Sequence, residues 1–225
     1  MESLQSLLDR NVAWSERMVA TDPQYFRRLV AQQAPQYLWI GCSDARVPAN
    51  EIVDLAPGEL FVHRNVANVV ALDDPNAQAV IEFAVSVLKV RHIMVVGHYS
   101  CGGIQAAEMQ KEVGPCCDRW LQHVHDVIKR HDKILKQETV EHRRQTLLCE
   151  LNVLEQTYNV SKAPAVIAAW QRKQPLWVHG WVYRLGDGQL RHLDFSVGAG
   201  DDPDALRKKA LQTIQRVRAE YYKKK

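Results

Sequence analysis

Short apolar segments that end near glycine alternate with longer segments of helical periodicity along this chain. Residues 92–97 (HIMVVG) are nearly all apolar, which is typical of a strand in the centre of a sheet that is covered on both faces. Residues 37–42 (YLWIGC) form a similar run, and residues 60–64 (LFVHR) form a third strand candidate. Because strands alternate with helices, the sequence predicts an α/β fold with a mostly parallel central sheet.

The remaining segments predict helices that flank this sheet and a hairpin at its edge. Helical spacing of apolar residues predicts helices over residues 76–90, 118–137, 141–158, 161–172 and 204–222. Residues 177–184 and 190–197 are predicted strands on either side of a Gly-Asp-Gly turn, a strong hairpin signal. The second of these strands therefore supplies an antiparallel edge.

The first 35 residues are predicted to form a helical arm, interrupted where Asp22 precedes Pro23. The chain has 225 residues, 46% of them apolar, which is enough for one well-buried core. We therefore expect residues 1–225 to form a single domain with residues 1–35 as its N-terminal arm. An amphipathic arm needs a surface to cover, so we expect self-association as a dimer or a tetramer.

Composition excludes several classes of function. The net charge of +3, from 29 basic and 26 acidic residues, is too small and too evenly spread to indicate a nucleic-acid partner. No apolar run reaches membrane-spanning length, and the first residues lack the layout of a secretory signal, so we expect a cytoplasmic location. Five cysteines, an odd number, indicate reduced thiols that are free to bind metal.

Two of the predicted strands end in residues that bind metals. Cys42 closes the first strand, and His98 and Cys101 follow the central strand. Because ligands bind at the carboxyl ends of parallel strands, these ends should lie close together. Two thiolates and one imidazole suit Zn²⁺, and three protein ligands with an open fourth position are typical of a catalytic zinc site.

The fourth zinc position is the point on which the function depends. Asp44 lies two residues after Cys42 and is able to fill it, which would close the site. Arg46 is able to hold the same carboxylate through two parallel hydrogen bonds. We therefore expect Zn²⁺ and Arg46 to compete for Asp44. Gly102 and Gly103 allow the backbone to turn closely around the metal after Cys101.

These segments resemble the β-class carbonic anhydrases. The resemblance rests on residues 41–48 (GCSDARVP), 57–68 (PGELFVHRNVAN), 97–103 (GHYSCGG), 149–153 (CELNV) and 179–181 (HGW). It covers almost the whole chain and is closest to bacterial-type members. One departure is Ala45, where the family usually has serine, which removes one possible hydrogen bond near the metal.

The resemblance implies reversible hydration of carbon dioxide to bicarbonate by zinc-bound hydroxide, the reaction of EC 4.2.1.1. It implies one Zn²⁺ per subunit on Cys42, His98 and Cys101, with Asp44 and Arg46 as the catalytic pair and Asp44 as a zinc ligand only in a closed state. The predicted substrate-binding residues are Gln33, Phe61, Val66 and Gly102.

A subset of the family has a second bicarbonate site near the metal, and its three residue types occur here as Trp39, Arg64 and Tyr183. In those relatives bicarbonate favours the closed state. We therefore hypothesise an allosteric enzyme that bicarbonate inhibits and whose activity falls at lower pH.

Two other classes of function remain possible from the residues alone. The first is a non-catalytic zinc protein in which Cys42, Asp44, His98 and Cys101 form a permanently closed structural site. This alternative leaves Arg46 without an evident purpose. The second is a thiol redox enzyme, which the absence of a Cys-x-x-Cys motif argues against. The identity of a proton shuttle is not decided by the sequence.

Overall fold

A computed structural model describes residues 4–31 and 33–223. Its sheet has five strands, which are β1 Tyr37–Cys42, β2 Leu60–Asn65, β3 His92–His98, β4 Trp177–Arg184 and β5 Gln189–Val197. Their order in the sheet is β2-β1-β3-β4-β5. The first four strands in this order are mutually parallel, and β5 runs antiparallel to β4. The predicted fold class, with a mostly parallel sheet and an antiparallel edge, is therefore confirmed.

Ten α-helices occur in the described residues. They are α1 Leu4–Thr21, α2 Tyr25–Ala31, α3 Ala49–Ile52, α4 Pro75–Glu82, α5 Gly102–Glu108, α6 Pro115–Arg130, α7 Asp132–Gln137, α8 Glu141–Ser161, α9 Pro164–Gln171 and α10 Pro203–Lys223. None of the described helices is both long and apolar enough to cross a membrane.

Two of the predicted helices are interrupted in the structure. The predicted helix over residues 118–137 begins earlier, because Gly114 adopts φ 149° and Pro115 occupies the first turn. It also divides into α6 and α7 at His131, whose φ of −107° and ψ of 18° interrupt the helix. The segment predicted as one helix over residues 76–90 has two parts. The first is α4, and the second is a π-helical turn over Phe83–Val87.

Side chains alternate between the two faces of the sheet, and most helices cover one face. On β1, Leu38 and Ile40 join a core cluster with residues of α4 and α9, whereas Trp39 points to a separate cluster on the other face. The longest buried helix, α8, packs on β3 and β4. The parallel pairing of β1 and β3 holds their carboxyl ends side by side.

Two glycines let α8 lie directly on the sheet. A methyl group built on Gly97 would come within 2.4 Å of Val153 Cγ2, and one on Gly180 within 2.8 Å of Thr157 Oγ1. Real side-chain carbons do not approach this closely, so both strands need glycine at these positions. The close packing fixes the height of α8 above β3, which ends at the candidate metal ligand His98.

The N-terminal segment forms two helices, α1 and α2, that bury none of their residues. Trp14 contacts the edge of Phe26, with ring centroids 5.6 Å apart, and holds the two helices together. Residues 1–3 and 32 of the predicted arm lie outside the described residues. The single-domain organisation with an arm over residues 1–35 stays a prediction.

Candidate metal centre and active site

Three donor atoms come together where β1 and β3 end. Cys42 Sγ, a ring nitrogen of His98 and Cys101 Sγ all lie within 4.8 Å of one another, and all three residues are buried. The two sulfur atoms are 3.8 Å apart. Because β1 and β3 are adjacent and parallel, their ends deliver Cys42 and His98 to the same place. Ser100, with φ 59°, turns the chain so that Cys101 faces back toward them.

His98 presents one nitrogen that no protein group satisfies. Its Nδ1–H donates to the carbonyl oxygen of Tyr99 at 3.0 Å, which leaves the lone pair on Nε2. This Nε2 is buried and has no hydrogen-bond partner among the described residues. A buried imidazole nitrogen without a partner, beside two thiols, fits a Zn²⁺ ion, which prefers tetrahedral sulfur and nitrogen donors.

The two thiols influence each other directly. The contact between their sulfur atoms lowers the pKa of Cys42 and raises the pKa of Cys101 above its usual range. A metal ion held by both sulfur atoms would replace their protons, because metal ligands must be deprotonated.

Asp44 is paired with Arg46 beside this centre. Arg46 donates to the two carboxylate oxygens from Nε at 2.9 Å and from Nη2 at 2.7 Å. These bonds hold the pKa of the Asp44 carboxyl well below its usual range. Asp44 Oδ2 is also 3.7 Å from His98 Nε2. The carboxylate thus lies beside His98 while Arg46 holds it.

The three residues predicted for a second bicarbonate site lie on different strands, and their role stays a prediction. Trp39 is fully buried, and its Nε1–H has no partner among the described residues. Tyr183 packs against the same core cluster as Trp39. Arg64 donates from Nε to the carbonyl oxygen of Cys42 at 2.8 Å and from Nη2 to that of Asp44 at 2.5 Å. Arg64 therefore fixes the loop that carries Asp44.

The predicted substrate-binding residues are dispersed within one chain. Gln33 is exposed at the end of the arm, and Gly102 has open space around it. Val66 is 38% exposed and lies against Gly103. Phe61 is half-buried and stacks on Phe83 with ring centroids 5.8 Å apart, in a different core cluster from the cysteines. Their roles stay predictions.

Sequence reasoning missed a group of residues that position His98. Glu150 is buried on α8 and accepts a hydrogen bond of 2.8 Å from the Tyr99 hydroxyl. Arg218 of α10 donates to the other oxygen of Glu150 at 3.3 Å. Tyr99 in turn supplies the carbonyl that orients His98. A signal was present, because Glu150 interrupts the apolar run 147–151 (LLCEL).

The other cysteines stand apart from this arrangement. All five cysteines are free thiols: Cys149 is buried, Cys117 is half-buried and Cys116 is exposed. Burial raises the pKa of the Cys149 thiol to about 12, so it stays protonated. Among the described residues, the donors of Cys42, His98 and Cys101 form the one group suited to hold a metal ion.

Comparisons with known proteins place this geometry in a family. The sequence profile of the family Carbonic anhydrase matches residues 37–190. The chain is 45% identical to a carbonic anhydrase of Emericella nidulans, over 84% of this chain and 82% of that protein. It is 33% identical to a carbonic anhydrase of Pseudomonas aeruginosa, over 85% and 88% of the two chains.

Solved structures of β-carbonic anhydrases are similar to this chain in fold and in sequence. A β-carbonic anhydrase of Coccomyxa, in complex with acetazolamide, superposes with a TM-score of 0.83 at 36% identity, over 91% of this chain and 96% of that one. This chain belongs to the β-carbonic anhydrase family. One of two tetrameric β-carbonic anhydrases of Sordaria macrospora matches equally well, with a TM-score of 0.83 at 36% identity over 88% of this chain and all of that one.

Membership in the β-carbonic anhydrase family confirms the predicted family and the predicted enzyme class. The family profile covers β1 to β4 and the first two residues of β5, so it includes every residue of the buried Cys-His-Cys group. The N-terminal arm and α10 lie outside the profile.

Proposed function

We propose that this β-carbonic anhydrase binds one Zn²⁺ through Cys42, His98 and Cys101 and catalyses the reversible hydration of carbon dioxide to bicarbonate and a proton. The observation that carries the proposal is the buried His98 Nε2, which has no protein partner and lies within 4.8 Å of the two sulfur donors. When bound with an open fourth position, Zn²⁺ lowers the pKa of a water ligand to about 7, which supplies a nucleophile at neutral pH.

The residues of the chain provide orientation. Asp44 Oδ2 lies 3.7 Å from His98 Nε2 and is placed to accept a hydrogen bond from a group that enters there. Arg46 keeps this carboxylate ionised and turned toward its own guanidinium. Val66 supplies an apolar wall, and Gly102 leaves room for substrate. Phe61 and Gln33 lie elsewhere in the same chain, so the apolar wall from Phe61 and the hydrogen bond from Gln33 would come from a second copy of the chain. Carbon dioxide is small and apolar, so its pocket needs few polar contacts.

Asp44 also acts as a gate in this proposal. In the active state Arg46 holds the carboxylate, as the bidentate pairing supports. In a closed state Asp44 would leave Arg46 and would serve as a fourth ligand when Zn²⁺ is bound. The alternative function, a structural zinc protein with a permanently closed site, would need Asp44 on the metal at all times.

The first prediction concerns Arg46. Arg46→Ala is expected to retain one Zn²⁺ per chain and to lose about 10²-fold in kcat/KM, because a carboxylate that is no longer held misplaces the reacting groups. Stopped-flow carbon dioxide hydration and elemental analysis of zinc provide the measurements. Arg119→Ala, an exposed arginine of α6, is the matched control and should keep full activity. A zinc-loaded parent chain without hydration activity would favour the structural alternative.

The second prediction concerns bicarbonate as an inhibitor that acts at Trp39, Arg64 and Tyr183. The unpartnered Nε1–H of Trp39 supports an anion acceptor there. Trp39→Phe keeps an aromatic ring but removes this donor, so it should raise the bicarbonate concentration that inhibits hydration several-fold. Trp14→Phe, in the arm, is the control. Equal inhibition of all three proteins would rule out this second site.

Two further assignments are part of the proposal. Self-association as a dimer or tetramer is supported by the exposed arm and by the tetrameric relative from Sordaria macrospora. The cytoplasmic location stays a prediction. Carbon dioxide and bicarbonate are the proposed small-molecule partners.

A further inference from the structure

A second cavity lies away from the candidate metal centre. It has a volume of about 780 Å³ and opens between the end of α6, the start of α7, α8 and α10. Its lining residues are mostly charged: Lys129, Arg130, His131, Asp132, Lys133, Ile134, Glu155, Asp204, Arg207, Lys208 and Leu211. None of the residues assigned above to zinc, substrate or bicarbonate lines it.

The floor of this cavity is a buried carboxylate that holds three cationic or ionisable side chains. Glu155 is 1% exposed and accepts hydrogen bonds from Arg130, from His131 Nε2 at 3.0 Å and from Arg207 Nη1 at 3.2 Å. Burial alone would raise its pKa, but these three partners together lower it, so the carboxylate is ionised. One negative charge therefore faces two guanidinium groups.

Both arginines are held in place and remain partly open to the cavity. The Arg207 guanidinium stacks over the ring of Tyr158, 4.1 Å from its centroid. The Arg207 side chain is 30% exposed and that of Arg130 is 51% exposed. An arginine fixed by one carboxylate still has unused N–H donors, which suit the oxygens of an anion.

The rim adds positive charge that is not neutralised. Lys129, Lys133 and Lys208 form no ion pair with any acid of the described chain. The two rim acids are already engaged, because Asp132 pairs with Lys136 at 2.8 Å and Asp204 pairs with Lys162 at 3.1 Å. The cavity therefore presents more positive than negative charge to a ligand.

We propose that this cavity binds a small molecule that carries two or more linked phosphate groups. Its volume is in the range of small-molecule sites, about 300–1,000 Å³, and its concave shape favours a compact ligand over an extended nucleic acid. Guanidinium and ammonium groups spread around the wall match several phosphate oxygens at once. A single bicarbonate ion would reach few of them.

Calorimetric titration with inorganic tripolyphosphate at low ionic strength tests the proposal. The parent chain is expected to bind one tripolyphosphate per chain, and inorganic phosphate more weakly. Lys133→Ala/Lys208→Ala should weaken tripolyphosphate binding about tenfold, because two phosphate contacts are lost. Both lysines are exposed and leave the Glu155 cluster intact, so this variant should fold. Comparison with ATP shows whether a nucleoside adds affinity to the phosphate chain.

Two controls separate this site from others. Lys111→Ala/Lys209→Ala removes the same charge from exposed positions outside the cavity. Its affinity for tripolyphosphate should lie within about twofold of that of the parent chain. Cys42→Ser alters the candidate metal centre, and its affinity for tripolyphosphate should equal that of the parent chain. No saturable binding by the parent chain, or equal weakening in the two double variants, would overturn the proposal. The titration does not measure carbon dioxide hydration, so a negative result would not contradict the proposed function.

Discussion

At the scale of single residues, the site depends on one imidazole whose two nitrogens have different environments. Tyr99 supplies the carbonyl for Nδ1 of His98, and Nε2 faces the two cysteines. The sequence predicted the ligand types, because residue chemistry and position at a strand end are local properties. It did not predict Glu150, which lies 51 residues from Tyr99 in the chain and contacts it only after α8 packs on the sheet.

A different histidine gives a prediction for stability against pH. His179 on β4 interacts through Nε2 with His92 Nδ1 at 3.1 Å and through Nδ1 with Ser196 Oγ at 2.7 Å. Burial, with His92 and His192 nearby, lowers the pKa of His179 from 6.5 to about 4. The folded chain thus binds fewer protons than the unfolded chain between these values. Its stability should fall as the pH is lowered from 6.5 to 4.

Urea unfolding at several pH values measures this effect. Between pH 6.5 and pH 4 the free energy of unfolding of the parent chain should fall by up to about 2 kcal/mol more than that of His179→Gln. This value is smaller than the full pKa shift would give, because the ring is only partly buried. Above pH 6.5 the contribution is fully present, and the difference between the two proteins should no longer change with pH. Parallel curves from pH 4 to pH 7 would contradict the assignment.

At the scale of elements, the position of α8 on β3 and β4 places the site. α8 carries Glu150, and Asn152 donates to the carbonyl oxygen of Ala67 at 2.8 Å, so the helix reaches both the His98 and the Val66 segments. Apolar periodicity predicted this helix over residues 141–158. The contact itself depends on glycines in strands that are distant in sequence, which no local pattern reports.

The packing of α8 can be tested with a double-mutant cycle. Gly97→Ala should destabilise the fold by about 1–3 kcal/mol, because the added methyl group meets Val153 Cγ2 at 2.4 Å. In Val153→Ala, which removes that atom, the same glycine substitution should cost clearly less. The free energy of unfolding of the four proteins in urea gives the coupling energy. Strict additivity would show that the two positions do not contact each other in the way described.

At the scale of the whole molecule, the N-terminal arm differs from the rest of the chain. Neither α1 nor α2 buries any of its residues. Exposed apolar residues recur along α1, with Leu7 55%, Leu8 60% and Val12 56% exposed. The energy of burying such side chains favours a partner surface. The exposed apolar residues of α1 therefore support the proposed self-association of the chain.

Substitution in the arm tests self-association. Leu7→Glu/Leu8→Glu should shift the sedimentation coefficient toward that of a single chain, because two apolar contacts are replaced by charges. Val113→Glu/Val217→Glu changes two equally exposed apolar residues outside the arm and should sediment like the parent chain. An arm variant that sediments like the parent assembly would exclude a role for α1 in the interface.

The sequence by itself determined the five strands, most of the longer helices, the antiparallel edge and the residue types at the ends of β1 and β3. These features follow from hydrophobic periodicity, turn residues and side-chain chemistry, all of which act over a few neighbouring positions. Only the tertiary structure decided that Glu150 supports Tyr99, that His98 Nε2 has no protein partner and that Glu155 forms the floor of a cationic cavity. Each of these depends on packing between segments far apart in the chain, where burial and charge arise from neighbours that no local pattern specifies.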